Sequence, residues 1–266
     1  MPSNRKVLIL GCNHLQIPYI KEARKLGFFV IGCDRNPHAP GREFVDRFYC
    51  VGYDDFQNLL KIAEQESLTA EDRLFTAASH FAYEGLGYVA ESTNIPFPSR
   101  QNIDICLDKI KFYELLKQYQ LQFPHTQIFH KNRPPEINPE KTYYLKSDYG
   151  KSPNYCYLVK DGNFPDLPDK FDNFYRHYFL IQEAVVGDHY RLNLYRDQVA
   201  CFLNYGTNHF LPLHLPGIHA QEFIYQLQKL QCDLHLSNFI IKIDYIVSSK
   251  GCFVLDIGLD PPMRLR

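Results

Sequence analysis

Apolar positions in the first hundred residues change period repeatedly, from short unbroken runs to helical spacing and back. Val7-Leu-Ile-Leu10 is an apolar run ended by Gly11, and Ile17, Ile20, Ala23 and Leu26 then recur at helical spacing until Gly27. The run predicts a buried strand, and the spacing predicts a helix stopped by glycine. Phe28 to Cys33 predicts a second strand ending in Asp34, Phe48 to Val51 a third, and Asp55 to Gln65 an amphipathic helix. Leu74 to Ala77 and Glu84 to Glu91 repeat the strand and helix theme. Parallel strands at such separations are joined by right-handed crossovers, so the section predicts an α/β unit with a Rossmann-like, doubly wound parallel sheet.

Two prolines in Ile95-Pro-Phe-Pro98 suit neither a helix nor a central strand and set a boundary near residue 98. Asp108 to Gln120 then carries apolar residues at helical spacing among lysines. From Thr126 the texture changes to strands separated by proline, asparagine and glycine turns. Tyr143 to Lys146, Tyr155 to Val159, Leu180 to Val185, Tyr190 to Arg196 and Val199 to Leu203 read as antiparallel strands. Gln221 to Leu230 reads as a helix, and Phe239 to Val247 with Cys252 to Ile257 as a final strand pair. The second part is therefore α+β.

Composition narrows the class. With 266 residues, 45% of them apolar and 22% charged, the chain has material for more than one core and no signature of disorder. The net charge is -1, from 29 basic and 30 acidic residues, and no long run of one sign occurs, which speaks against a nucleic-acid partner. No stretch approaches the roughly 18 consecutive apolar residues of a membrane helix, nor does the start resemble a secretory leader, so no membrane partner is expected and the chain is placed in the cytoplasm. Eight cysteines are scattered without C-x-x-C spacing, which fits reduced thiols better than a disulfide framework or a zinc site.

Among candidate chemistries, a dinucleotide fingerprint fails after Leu10, because GCNHLQ supplies only the first of three glycines. Asp34 at a strand end suits a ribose or, more commonly, a turn. Lys146 ends an apolar strand and Lys109 opens a helix. Each suits an anion such as a nucleotide phosphate, or a snorkelling surface cation. In FIIKIDYIVSSKGCFVLDIG, Lys242 and Asp244 share a face and a hairpin sets Asp244 roughly opposite Asp256. Two carboxylates so placed repel unless a cation such as magnesium relieves them, or unless both are solvated. The eleven histidines show no metal-ligand spacing, and Ser79-His80 lacks the context of a nucleophile elbow.

Taken in order, these segments resemble the ATP-grasp carboxylate-amine ligases with a pre-ATP-grasp domain, the group that includes carbamoyl-phosphate-synthase-like and biotin-carboxylase-like proteins. KVLILGCNHLQIPYIKEARKLGFFVIGCDRNPHAPGREFVDRF is similar to the leading domain and DKIKFYELLKQYQLQFP to the helix that opens the ATP-grasp part. YYLKSDYGKSP resembles the phosphate-binding strand and loop, LIQEAVVGDHYRLNLY the adenine hinge, and IIKIDYIV with FVLDIG the metal strands. The resemblance implies a leading domain over 1–98 and two ATP-grasp lobes over 99–185 and 186–266. It implies ATP and Mg2+ as cofactors, with small carboxylate and amine substrates, and it leaves room for a homodimer.

By the same resemblance, Lys109 and Lys146 would meet ATP phosphates, and Gln182, Glu183, Ala184 and Val185 would hold adenine, with His189 near the ribose. Asp244 and Asp256 would bind magnesium, and Asp260 could replace a missing ligand. Lys242 would steady the transferring phosphoryl group, and Arg191 would meet a substrate carboxylate or phosphate. The chain departs from the pattern at Asp256, where relatives usually carry Glu, and at Gly258, where they carry Asn. A degenerate ATP-grasp protein that binds nucleotide or a partner without turnover is the alternative reading.

Overall fold

The computed structural model describes residues 5–149, 156–167, 170–171, 174–175, 178–196, 198–204, 209–211 and 220–259. The chain divides into two compact units, Met1–Asp104 with Leu259–Arg266, and Ile105–Gly258. The division falls a few residues after the proline pair.

In the first unit the chain runs β1 (Lys6–Leu10), α1 (Ile17–Lys25), β2 (Phe29–Cys33), β3 (Arg47–Tyr49), α2 (Phe56–Gln65), β4 (Arg73–Thr76), α3 (Ala82–Thr93) and α4 (Arg100–Leu107), the last crossing the division. The sheet is fully parallel in the order β3-β2-β1-β4. Because β1 is central, both of its faces are buried: Val7 and Ile9 pack with Ile20 and Val30 on one side, Leu8 and Leu10 with Leu59 and Leu86 on the other. That two-sided burial is why β1 reads as an unbroken apolar run. The helix α4 lies where the sequence reading had only a boundary. Its start is marked by Ser99, whose hydroxyl accepts from the Asn102 N–H at 3.2 Å, a cap directly after Pro98.

At the carboxyl end of β1, Gly11 has φ +90° and a Cβ there would lie 2.4 Å from the Ala78 Cβ, so only glycine lets the loops after β1 and β4 meet. The fully buried Gln16 bridges the same two loops, donating to the Ala77 carbonyl at 2.8 Å and accepting from the Asn13 N–H at 3.1 Å. Ligands of open α/β sheets bind in the crevice where the strand order reverses, and here that junction holds protein. Asp34 is likewise committed to the turn: its two oxygens accept from the main-chain N–H groups of Cys12 and Asn36 at 2.8 and 2.9 Å.

The second unit opens with α5 (Lys109–Gln118), capped by Asp108, which accepts from the N–H groups of Ile110 and Lys111. The strands are β5 (Thr126–His130), β6 (Tyr143–Ser147), β7 (Cys156–Val159), the two-residue pair β8 (Lys170–Phe171) and β9 (Phe174–Tyr175), and β10 (Tyr178–Glu183). They continue through β11 (Asp188–Tyr195), β12 (Gln198–Asn204) and β13 (His209–Leu211). Helix α6 (Ala220–Asp233) and the hairpin β14 (Ile241–Ser248) and β15 (Gly251–Gly258) follow. The larger strands form two antiparallel sheets, β5-β10-β6-β7 and β13-β12-β11-β14-β15.

Each sheet closes one face with apolar side chains; the other face is polar in the second sheet and mixed in the first. In the first, Phe129, Tyr143, Leu145, Val159, Phe179 and Ile181 form a core on one side. In the second, Tyr190, Leu192 and Leu194 stand opposite Tyr245, Ile243 and Ile241 on the apolar side, where Phe223 of α6 packs 5.1 Å from the Tyr245 ring. Strict alternation then sends Arg191, Asn193, Lys242 and Asp244 to the other side.

Candidate functional site

The two faces opposite the apolar cores carry nearly all the residues singled out from the sequence. On the first sheet, Lys146 of β6 stands in register with Leu180 of β10 and Cys156 of β7, and Gln182 stands in register with Tyr144 and Thr126. Period-two alternation puts Lys146, Cys156, Gln182 and Thr126 on one face, opposite the apolar core. Lys109 is brought to the end of β6, since its N–H donates to the Asp148 carbonyl at 2.7 Å and Asp108 bridges Tyr149; its side chain is only 8% exposed.

On the second sheet, register places Arg191, Asp244 and Asp256 in one row, and Asn193, Lys242 and Gly258 in the next. Asp244 is directly opposite Asp256, as the alternation in the sequence predicts. A bulge after Asp244 makes Leu255 the extra residue, so that Val254 can still face the core while Asp256 keeps to the charged side. The Leu255 carbonyl accepts from the Tyr113 hydroxyl of α5 at 2.8 Å, which ties the helix to the bulge.

The two rows belong to one electrostatic neighbourhood. Burial pushes the Lys146 ammonium below its ordinary value, and its neighbours Cys156, Asp256 and Asp244 oppose that push. Burial also lowers the His189 imidazole, with Arg191 and Lys146 adding to the effect and Asp244 working against it. The Tyr113 phenol is pushed up by burial and by Asp256, while its hydrogen bond with Gln182 acts the other way. Lys146, Gln182, His189, Arg191, Asp244 and Asp256 therefore act on a common set of neighbours, although they come from five strands.

Within this cluster some groups are already committed. Arg191 forks onto Asp244, with Nε to Oδ1 at 2.6 Å and Nη2 to Oδ2 at 2.7 Å, so both carboxylate oxygens are held. This pair was not anticipated, and it bears directly on the expected roles of both residues. The Glu183 and Ala184 N–H groups donate to the carbonyls of His125 and Thr142, and the Glu183 carboxylate takes Lys141 at 2.8 Å. Gln182 is different. Its amide N–H donates to Thr126 Oγ1 at 2.8 Å, and that hydroxyl in turn donates to the Pro124 carbonyl, which fixes which end of the amide is oxygen. Its Oε1 is buried without a partner among the described residues.

For a magnesium ion the donor set is thin. Asp256 is one carboxylate, Asp244 is held by Arg191, and Gly258 has no side chain. Asp260 lies outside the described residues, as do positions 150–155 of the loop that follows β6. Among the described residues no three His, Cys, Asp or Glu side chains form a ligand group. One carboxylate suffices for an ion held mainly by phosphate oxygens and water, whereas an arrangement needing both aspartates requires Asp244 to leave Arg191. Seven of the eight cysteines are free thiols, as their scatter predicts, and no described helix is long and apolar enough to cross a membrane.

The environment of His189 makes a testable statement. Its value in the fold lies below the ordinary 6.5, so the unfolded chain binds the proton first. The stability due to neutral His189 is complete above that pH and is lost as pH falls through the folded value. Melting curves between about pH 8 and 5 should show less acid destabilisation for His189→Gln than for the wild type.

No protein-family model and no curated protein matches the sequence. Solved structures do resemble the fold. N5-carboxyaminoimidazole synthetase from Staphylococcus aureus complexed with ADP superposes with a TM-score of 0.73 at 16% identity, over 98% of this chain and 72% of that one. L-amino acid ligase from Bacillus licheniformis gives 0.71 at 16% identity, over 97% and 68%. D-alanine--D-alanine ligase from Bacillus anthracis complexed with ATP gives 0.65 at 10% identity, over 97% and 87%. The parallel sheet ahead of two antiparallel ones is thus the fold of the ATP-grasp carboxylate-amine ligases.

Proposed function

We propose that the chain is an ATP-dependent ligase that phosphorylates a small carboxylate and lets an amine displace the phosphate, forming an amide, with an amino acid or peptide among its substrates. The observation that carries this reading is the convergence of Lys146, His189, Arg191, Asp244 and Asp256 in Ile105–Gly258, next to the orphaned acceptor of Gln182. Phosphoryl transfer asks a protein mainly for cations at the phosphates and for positioning, and this face supplies both.

In this reading Lys109 and Lys146 take the phosphates, and the Gln182 Oε1 accepts from an adenine amino group along the segment Gln182 to Val185. The exposed Ile128, Tyr144 and Leu158 on the same face of the first sheet give a purine apolar surface to lie on. His189 stands by the ribose, Lys242 steadies the transferring phosphoryl group, and Arg191 orients the acid. A magnesium ion, when bound, would neutralise phosphate charge, with Asp256 as its protein ligand and Asp244 and Asp260 as further candidates. The expected partition is a leading domain over 1–98 and lobes over 99–185 and 186–266, acting in the cytoplasm.

The fork of Arg191 onto Asp244 favours a second reading, in which nucleotide binds without turnover. Calorimetry with ATP in magnesium buffer tests the first step, and ADP release across a panel of amino acids and dipeptides tests the second. Binding with amino-acid-stimulated ADP supports the ligase; binding without ADP for any pair supports the second reading; no binding of ATP refutes both.

A further inference from the structure

A cleft on the far side of the second sheet is lined by groups that the proposed reaction does not use. It lies between the turn after α5, with Gln120 and Gln122, the start of α6, with Glu222, Phe223 and Gln226, and the β14–β15 turn with Lys250. Its separation from the charged face follows from alternation: Phe223 packs against Tyr245, and Tyr245 points opposite to its neighbour Asp244. The turn at Lys250 is also the far end of the hairpin, about 13 Å along β14 from Asp244 to Ser248.

We propose that this cleft is a binding site for a free α-amino acid, with Lys250 taking the carboxylate and Glu222 the ammonium group. The walls are held in place. The Gln226 amide donates to Glu222 Oε1 at 2.6 Å and orients that carboxylate, while the Lys250 N–H donates to Ser248 Oγ at 3.0 Å. The Gln122 carbonyl accepts from the Val254 N–H at 2.8 Å, and its side-chain oxygen lies so close over the turn that a Cβ on Gly251 would come within 2.5 Å of it. Gly251 has φ +126°, a conformation that glycine alone adopts without strain.

The chemistry of the lining selects the ligand class. One cation, one anion and three amides match a zwitterion, and Phe223 with Leu121 offers its side chain an apolar wall. A phosphate ester would set its charge against Glu222, and a purely apolar ligand would strand the amides. The volume, about 260 Å³, is below the roughly 300 to 1,000 Å³ of pockets that enclose drug-sized molecules, which suits a single amino acid.

The site stands apart from the ATP reading, and its test keeps the two distinct. Each free amino acid is titrated into the full chain by calorimetry, alone and with Lys250→Glu, Glu222→Gln and Lys146→Met. Lys250 and Glu222 are exposed, so both variants should melt like the wild type and bind ATP as it does. Saturable binding of one or a few amino acids is expected, weakened about ten- to a hundredfold by either cleft variant and unchanged in Lys146→Met. No binding by any amino acid overturns the proposal. So does binding that the two cleft variants leave intact, or that Lys146→Met abolishes, since the amino acid would then sit on the nucleotide face.

Discussion

Arg191→Met is expected to lower the unfolding free energy by about 3 kcal/mol, because it leaves the Asp244 carboxylate half-buried without its guanidinium. The pair is not a surface ion pair of negligible worth: the two side chains are 24% and 15% exposed, and the contact is bidentate. Removing both charges in Arg191→Met/Asp244→Leu should recover most of the loss, since well-packed apolar replacements of a buried pair are often neutral. Urea unfolding of the wild type, the two single variants and the double variant closes the cycle. If Arg191→Met unfolds like the wild type, the fork contributes no stability and Asp244 is open to another ligand. The same set of proteins separates structure from function, because a double variant that is stable and still binds ATP would move both residues out of the nucleotide site.

What the sequence made legible follows from how local each feature is. The strands and helices of the first unit were readable because β1 and β2 are short apolar runs between glycines and helical spacings. The Asp244 and Asp256 row was readable because a hairpin with a turn at Gly251 fixes its own register. Arg191 against Asp244 was not, since the partners are 53 residues apart and meet only through the pairing of β11 with β14. The strands β8, β9 and β13 span two or three residues, too few for a period. Asp34 shows a different limit. A carboxylate at a strand end suits a turn more commonly than a ribose, and its hydrogen bonds to Cys12 and Asn36 decide for the turn. The unpartnered Gln182 oxygen carries no sequence signal at all, because its neighbour Thr126 lies on a strand 56 residues away.

Lys146→Met should separate binding from stability more sharply than any other change. An ammonium on the mixed face of the first sheet is held below its ordinary value chiefly by burial, with Asp244 and Asp256 only partly offsetting this. Below the folded value the charged form carries a desolvation cost that methionine, of similar length and apolar, does not. The variant is therefore expected to melt higher than the wild type at neutral pH. The gain should shrink as pH rises toward 10.5, where the lysine is neutral in the unfolded chain as well. ATP affinity should move the other way, falling about ten- to a hundredfold, which is what loss of a charge-assisted phosphate contact of roughly 1.5 to 3 kcal/mol predicts. Lys131→Met, a loop change without an assigned role, controls for charge alone. A higher melting temperature together with weaker ATP binding identifies Lys146 as a group kept for its ligand at the expense of the empty fold. A variant that binds ATP as tightly as the Lys131 control would instead remove Lys146 from the phosphates and with it the placement of the nucleotide on this face.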